Sequence, residues 1–174
     1  MKNEKFIIVG KSGSGKDFLL KGLIDKGERY APKVTTRPIR KGEVNGLEYD
    51  FIDNQQFQFL IEEKRIKVQQ KFIINGQNWN YGITVENFNR HNLFIMTPYE
   101  ITQLSDDDRK GCFIVYLDID ENTRRKRISS RFDNNDSIDR RIAADDQDFL
   151  YFDTHDLKIS DPNFDIDLVY QFAY

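Results

Sequence analysis

Apolar positions along the chain fall into short uncharged runs separated by amphipathic stretches, the rhythm of alternating strands and helices. Phe6-Ile-Ile-Val9 carries no polar residue, the pattern of a strand covered on both faces. Phe18, Leu19, Leu20, Leu23 and Ile24 then recur near helical spacing through residues 17–26, and Gly27 supplies a stop. Residues 33–35 suit a short strand, residues 48–52 alternate as another, and Asp53 can cap a helix over 54–64. Two β segments, 67–74 and 79–83, flank Asn75-Gly76, a strong hairpin turn. Leu93-Phe-Ile-Met96 and Phe113-Ile-Val-Tyr-Leu117 predict two more core strands. Helices are expected over 120–131 and 137–151, separated by the polar turn 132–136. A short strand at 157–159 and a helix from about residue 165 close the chain.

This order predicts an α/β fold with a parallel sheet and helices on both faces. Between about residues 33 and 83 a small antiparallel insertion interrupts it. A chain of 174 residues is long enough for one well-buried core, so residues 1–174 read as one domain. Its core is expected over 1–32 and 84–174, with the insertion as a lobe that brings an acceptor to whatever the core binds.

The first candidate chemistry stands where strand meets helix. Gly10-Lys-Ser-Gly-Ser-Gly-Lys-Asp17 fits the phosphate-loop pattern G-x-x-x-x-G-K-[ST] everywhere except its last position, where Asp17 replaces the hydroxyl. Glycines let the backbone fold its N–H groups around a phosphate chain, and the following helix turns its positive end toward them. Gly10, Ser12, Gly13, Ser14, Gly15, Lys16 and Asp17 are therefore the candidate nucleotide-binding residues, with Lys16 reaching the β- and γ-phosphates.

Composition narrows the partners. A net charge of −3 gives no global attraction to nucleic acid or anionic membrane, which leaves only local basic patches for such contacts. No apolar run approaches the roughly 20 residues of a membrane span. The N-terminal residues lead straight into the first strand without a signal-peptide stretch, so the expected compartment is the cytoplasm. Cys112 is the single cysteine, which rules out an intrachain disulfide, and it opens an apolar run as a buried thiol. With His91 and His155 far from it, no zinc-ligand spacing exists.

A second motif follows in Thr35-Thr-Arg-Pro-Ile-Arg-Lys-Gly-Glu-Val-Asn-Gly-Leu-Glu-Tyr-Asp-Phe-Ile52. With the loop upstream it closely resembles the guanylate kinase family, whose pattern runs T-T-R, a basic residue, G-E, N-G and Y-x-F. The resemblance continues at Asn80-Tyr-Gly82, at Lys126-Arg-Ile128 and at Ser137-Ile-Asp-Arg-Arg-Ile-Ala143, and matches weakly over 54–71 and 84–111. It implies a P-loop NTPase fold with an acceptor-binding lobe and a helical lid at about 127–141. The implied activity is transfer of the γ-phosphoryl of ATP, with Mg²⁺, to a nucleoside monophosphate such as GMP or dGMP. A monomer or homodimer is expected.

By the same resemblance, Arg37 and Arg40 grip the acceptor phosphate with Tyr49 and Tyr81, and Thr35 opens that motif. Arginine suits the task because its planar fork bonds two phosphate oxygens at once. Tyr49 and Tyr81 equally suit half-buried strand aromatics. Arg127, Arg131 and Arg141 fall where the lid supplies cations to the moving phosphoryl group. Arg127 also belongs to a basic helix face whose Arg124 and Arg125 read as surface or polynucleotide-facing charges. Asp145 and Asp146 read as solvated charge.

Three departures bear on substrate. Asp17 stands where the family has a hydroxyl that ligates magnesium; a carboxylate is also a hard oxygen ligand, so Asp17 is the candidate metal ligand. The family's acidic strand end corresponds to Phe94-Ile-Met-Thr-Pro98, which has no acidic residue. Lys33 stands where the family has a serine, and Gln69 and Gln70 fall near a family glutamate. Lys33, Gln69 and Gln70 are thus the candidate contacts to the acceptor's base, which is either guanine read by Gln69 or Gln70 or the base of a different, modified nucleoside monophosphate. Two other readings stay open. One is a P-loop kinase acting on a hydroxyl of a modified nucleotide in DNA or of a sugar phosphate. The other is an inactive binding module.

Overall fold

The computed structural model describes residues 4–47, 49–130 and 137–173. Its elements are β1 (Lys5–Gly10), α1 (Lys16–Asp25), β2 (Lys33–Thr35), β3 (Tyr49–Phe51), α2 (Asn54–Glu62), β4 (Ile66–Ile74) and β5 (Gln77–Thr84). After these come α3 (Val85–Arg90), β6 (Leu93–Ile95), α4 (Pro98–Ile101), α5 (Asp106–Lys110), β7 (Cys112–Leu117), α6 (Glu121–Ser129), α7 (Ile138–Asp148), β8 (Leu157–Ile159) and α8 (Ile166–Ala173).

One sheet has the order β6-β1-β7-β8, every pair parallel. Phe6 and Ile8 pack with Leu19, Leu23, Val115 and Val169 on one face. Ile7 and Val9 pack with Phe88, Phe94, Met96 and Ile114 on the other. Alternate residues of β1 thus enter two different cores, which is why its sequence is apolar without a break. A strand covered on both faces can expose only its ends, and the carboxyl end of β1 opens into the glycine-rich loop.

The lobe is a second sheet in the order β3-β2-β5-β4. The pairs β2–β5 and β4–β5 are antiparallel, as the hairpin predicts, while β3 joins the edge parallel to β2. Asn75 and Gly76 both have positive φ, 50° and 76°, so these two residues alone make the turn. That tight turn lets β5 begin at Gln77, two residues before the expected start, with Ile74 facing Gln77 across it.

Several expected helices are trimmed at their ends. Lys64 takes a left-handed conformation with φ 53° after α2, and α7 stops at Asp148. Three short helices, α3, α4 and α5, are additions to the pattern. Each starts at a hydroxyl cap, Thr84, Thr97 or Ser105, that accepts a backbone N–H three residues on. Their lengths of four to six residues are too short to leave a helical hydrophobic period. Asp106, Asp107 and Asp108 form the first turn of α5, where the helix dipole favours them, and Asp108 also pairs with Lys67 at 2.6 Å.

Cys112 is buried in the core beside β1, and its thiol donates to the Asp108 carbonyl at 3.0 Å. Burial pushes that thiol up to about 11. The native protein should therefore react slowly with a disulfide reagent at pH 8 and rapidly once denaturant is added. Equal rates, followed by thiolate absorbance, would contradict this packing.

Candidate active site

Close approach explains the glycines after β1. A side chain at Gly10 would put its first carbon 2.5 Å from Ser14 Oγ, and one at Gly13 would lie 2.7 Å from the Arg124 carbonyl oxygen. Gly13 and Gly15 also take φ +75° and +100°, which turns successive amides toward the inside of the loop. Lys16 is folded over the loop, its Nζ donating to the carbonyls of Gly10 at 2.6 Å and Lys11 at 3.0 Å. Ser14 Oγ is buried within the loop with no hydrogen-bond partner among the described residues.

Two helices hold this loop from outside. Arg127 on α6 donates to the carbonyls of Gly13, Ser14 and Pro162 at 3.4, 3.2 and 2.8 Å, tying loop and C-terminal segment together. Arg124 corrects its expectation as a surface charge. It is only 2% exposed, donates from Nε to the Ile119 carbonyl at 3.0 Å, and lies 3.6 Å from the Asp145 carboxylate. Burial follows from α6 packing its backbone against Gly13. Arg125 does stay half-exposed and pairs with Glu121 and Asp139.

Asp145 likewise differs from solvated charge, while Asp146 stays exposed. Asp145 accepts the Ser12 amide at 2.8 Å, and Asp146 pairs with Lys11 at 2.7 Å, so α7 is fastened to the loop by its acids. One turn earlier on α7, Arg141 lines the loop surface together with Ser12, Gly15, Lys16 and Asp17. Arg131 lies outside the described residues.

On the lobe, Arg37 is 4% exposed and forms a fork with Glu43, its two terminal nitrogens 2.7 and 3.0 Å from the carboxylate oxygens. Its guanidinium lies over the rings of Tyr49 and Phe51, 5.2 and 5.3 Å from their centroids. Glu43 also accepts the Arg40 amide at 2.7 Å, which fixes the loop backbone and leaves the Arg40 side chain on the cleft wall. Thr35 acts within the backbone: its hydroxyl donates to the Asn80 carbonyl and accepts the Arg37 amide. Tyr49 and Tyr81 meet edge to face at 5.9 Å. Burial, then the neighbouring Tyr81, pushes the Tyr49 hydroxyl up to about 12, and burial raises Tyr81 as well. Both phenols therefore remain O–H donors at neutral pH.

Loop and lobe face each other across one cleft of about 310 Å³. Lys16 lines it from the loop, Arg40, Tyr49, Phe72, Trp79 and Tyr81 from the lobe, and Arg141 and Asp145 from α7. Lys33 also lines the cleft but is buried in an ion pair with Glu100, 2.6 and 2.7 Å from its two oxygens. Gln69 and Gln70 line a neighbouring polar cleft with Asn54, Asn78 and Tyr99. The Gln103 side chain bonds both the amide and the carbonyl of Gln69, and the Gln70 carbonyl oxygen takes the Thr97 hydroxyl. Sequence reasoning missed Glu100 and Trp79. For Glu100 a signal existed in Thr97-x-x-Glu100, the capping-box spacing that its structure adopts.

A family model described as guanylate kinase matches residues 2–168 of the chain. A guanylate kinase of Syntrophomonas wolfei is 29% identical over 165 residues, covering 92% of this chain and 85% of the relative. One of Rubrobacter xylanophilus is 26% identical over 175 residues, covering 95% and 90%. Among solved structures, the guanylate kinase of Anaplasma phagocytophilum superposes with a TM-score of 0.64 at 17% identity, covering 98% of this chain and 82% of that one.

The lobe fork gives a pH-dependent signal. Burial pushes the Glu43 carboxyl up, but the bonds from Arg37 and from the Arg40 amide outweigh it and hold the group below its ordinary range. Its contribution is then complete above the unfolded carboxylate value near ~4.3 and is lost as pH falls through the lower folded value. The difference in melting temperature between wild type and Glu43→Gln should be present at neutral pH and close as the pH is lowered toward about 3. A gap that stays constant with pH would deny the fork its role.

Proposed function

The chain belongs to the guanylate kinase family, a family of nucleoside monophosphate kinases, and on that premise we propose that it moves the γ-phosphoryl of ATP onto the phosphate of a nucleoside monophosphate. The observation that carries this reading is the shared cleft, lined both by the phosphate loop with its lysine and by the basic, phenolic grip of the lobe.

Phosphoryl transfer asks a protein mainly to position two phosphates in line and to neutralise the charge spread over the moving group. The loop amides and Lys16 hold the donor's β- and γ-phosphates. Arg40, Tyr49 and Tyr81 hold the acceptor phosphate, and Arg37, locked to Glu43, keeps their loop in shape. An acceptor phosphate oxygen bonds to the γ-phosphorus while the bond from that phosphorus to the β-bridging oxygen breaks, giving ADP and a nucleoside diphosphate. Arg141 faces the moving group from α7, and Arg127 keeps the loop rigid from behind. Closing the lobe toward α7 excludes water that would otherwise take the phosphoryl group.

The site suits magnesium with one protein ligand. Asp17 is an exposed carboxylate in the first turn of α1, on the loop surface beside Lys16. Among the described residues no group of three or more His, Cys, Asp or Glu side chains could cage a metal. A single carboxylate beside substrate phosphates is a common arrangement for Mg²⁺, which keeps most of its waters. When bound, the ion neutralises charge on the β- and γ-oxygens. Gly10, Gly13, Gly15 and Lys16 are all in place, which supports catalysis over a binding-only role.

ADP formation from ATP and a panel of nucleoside monophosphates tests the proposal. Lys16→Ala should lower turnover by about 100-fold or more while leaving the melting temperature near wild type. Asp17→Ser should raise the magnesium concentration needed for half-maximal rate. Unchanged turnover in the first variant would defeat the kinase reading, and unchanged magnesium dependence in the second would remove Asp17 from the metal site.

A further inference from the structure

Among the described residues three carboxylates line the cleft, and the protein itself engages two of them. Glu100 is fully buried, with Lys33 Nζ 2.7 and 2.6 Å from its two oxygens and the Thr97 amide bonded at 2.8 Å. Asp145 accepts the Ser12 amide at 2.8 Å and lies 3.6 Å from the Arg124 guanidinium. Asp148 differs from both. It is exposed, and among the described residues it has no hydrogen bond or ion pair. Partial desolvation, and then the charge of Asp145, push its carboxyl above the ordinary value, with no cation opposing them. Once ionised, a more basic carboxylate is a stronger acceptor for an N–H group.

Its place on α7 is toward the lobe. Asp148 lies about two turns beyond Arg141 and is shared between the lining of this cleft and that of the neighbouring polar cleft, which holds Gln69 and Gln70. The helix thus runs from the phosphate loop, which Arg141 lines and Asp145 bonds, to the lobe strands beside Asp148. Two of the side chains that the sequence nominates for the acceptor's base are less available. Lys33 is held by Glu100, and the Gln70 carbonyl oxygen takes the Thr97 hydroxyl.

An ionised carboxylate offers two acceptors and no donor. Guanine answers it with a ring N–H beside an exocyclic amino group, two parallel donors for two oxygens. Hypoxanthine keeps only the ring N–H, and xanthine carries a carbonyl in place of the amino group. Resting on the reading of this cleft as a nucleoside monophosphate site, we infer that Asp148 is the specificity-determining residue for the acceptor's base, its two oxygens taking the paired N–H groups of a guanine-type base. Base recognition then comes from α7 rather than from the lobe strands. The helix that reads the base also carries Arg141, so binding the right base and placing that cation over the loop are one event.

Asp148→Asn is the discriminating variant, because an amide presents one acceptor and one donor where the carboxylate presents two acceptors. GMP, IMP and XMP differ only at position 2 of the base, and calorimetry reads their affinities without turnover. Wild type should bind GMP more tightly than IMP or XMP by about tenfold or more. Asp148→Asn should weaken GMP by about tenfold or more and bind XMP at least as tightly as GMP, a reversal that misfolding cannot produce. Wild type binding IMP or XMP as tightly as GMP would overturn the inference. So would an unchanged preference for GMP over XMP in the variant, or an equal loss of all three ligands. The expected ranking and reversal without phosphate transfer would support the inference while defeating the kinase reading. If none of the three binds while another nucleoside monophosphate is turned over, the inference falls and the kinase reading stands.

Discussion

Contact between the phosphate loop and the backbone of α6 is the constraint on which the rest of the site depends. A carbonyl oxygen from Arg124 lies where any side chain at position 13 would have to go, so the loop can take its shape only with glycine there. Once the loop is pressed against α6, Arg127 comes within reach of its carbonyls, and the Arg124 guanidinium is sealed beneath α7. The acids of α7 then find the Ser12 amide and Lys11. Each step follows from the one before, and together they put Arg141 over the loop.

Three cations are taken out of water to build this cleft, and each has an acidic partner. Arg124 faces Asp145, Arg37 is held in a fork by Glu43, and Lys33 lies on Glu100. Buried pairs of this kind add little net stability, because desolvation offsets most of the attraction, yet removing one partner costs roughly 3–5 kcal/mol. Their effect is geometric. The Arg37–Glu43 fork sets the curve of the lobe loop. The Lys33–Glu100 pair ties β2 in the lobe to α4 beside the core.

The parallel core was legible because its signal is local. A continuous apolar strand, a glycine loop and an amphipathic helix follow one another without a gap, and the hairpin at Asn75-Gly76 declares itself in two residues. Legibility failed where burial depends on a neighbour distant in sequence. Arg124 sits in a run of four basic residues that looks like a wetted helix face, and nothing near it reveals that Gly13 and α7 will close over it. The Asp145-Asp146 pair is hidden in the same way, since its partners lie more than 130 residues away. Lys33 stands out in the sequence, but its engagement by Glu100 needs the fold, which brings together residues 67 apart.

On α7, Arg141 and Asp145 are separated by one helical turn of a single rigid body, the first lining the loop and the second bonded to it. Any tilt of that helix moves cation and anion together, so the local field above the loop is adjusted as a unit. Substitutions in the loop and in this helix will therefore have energies that do not sum, and their effects on the site have to be compared as combinations of changes.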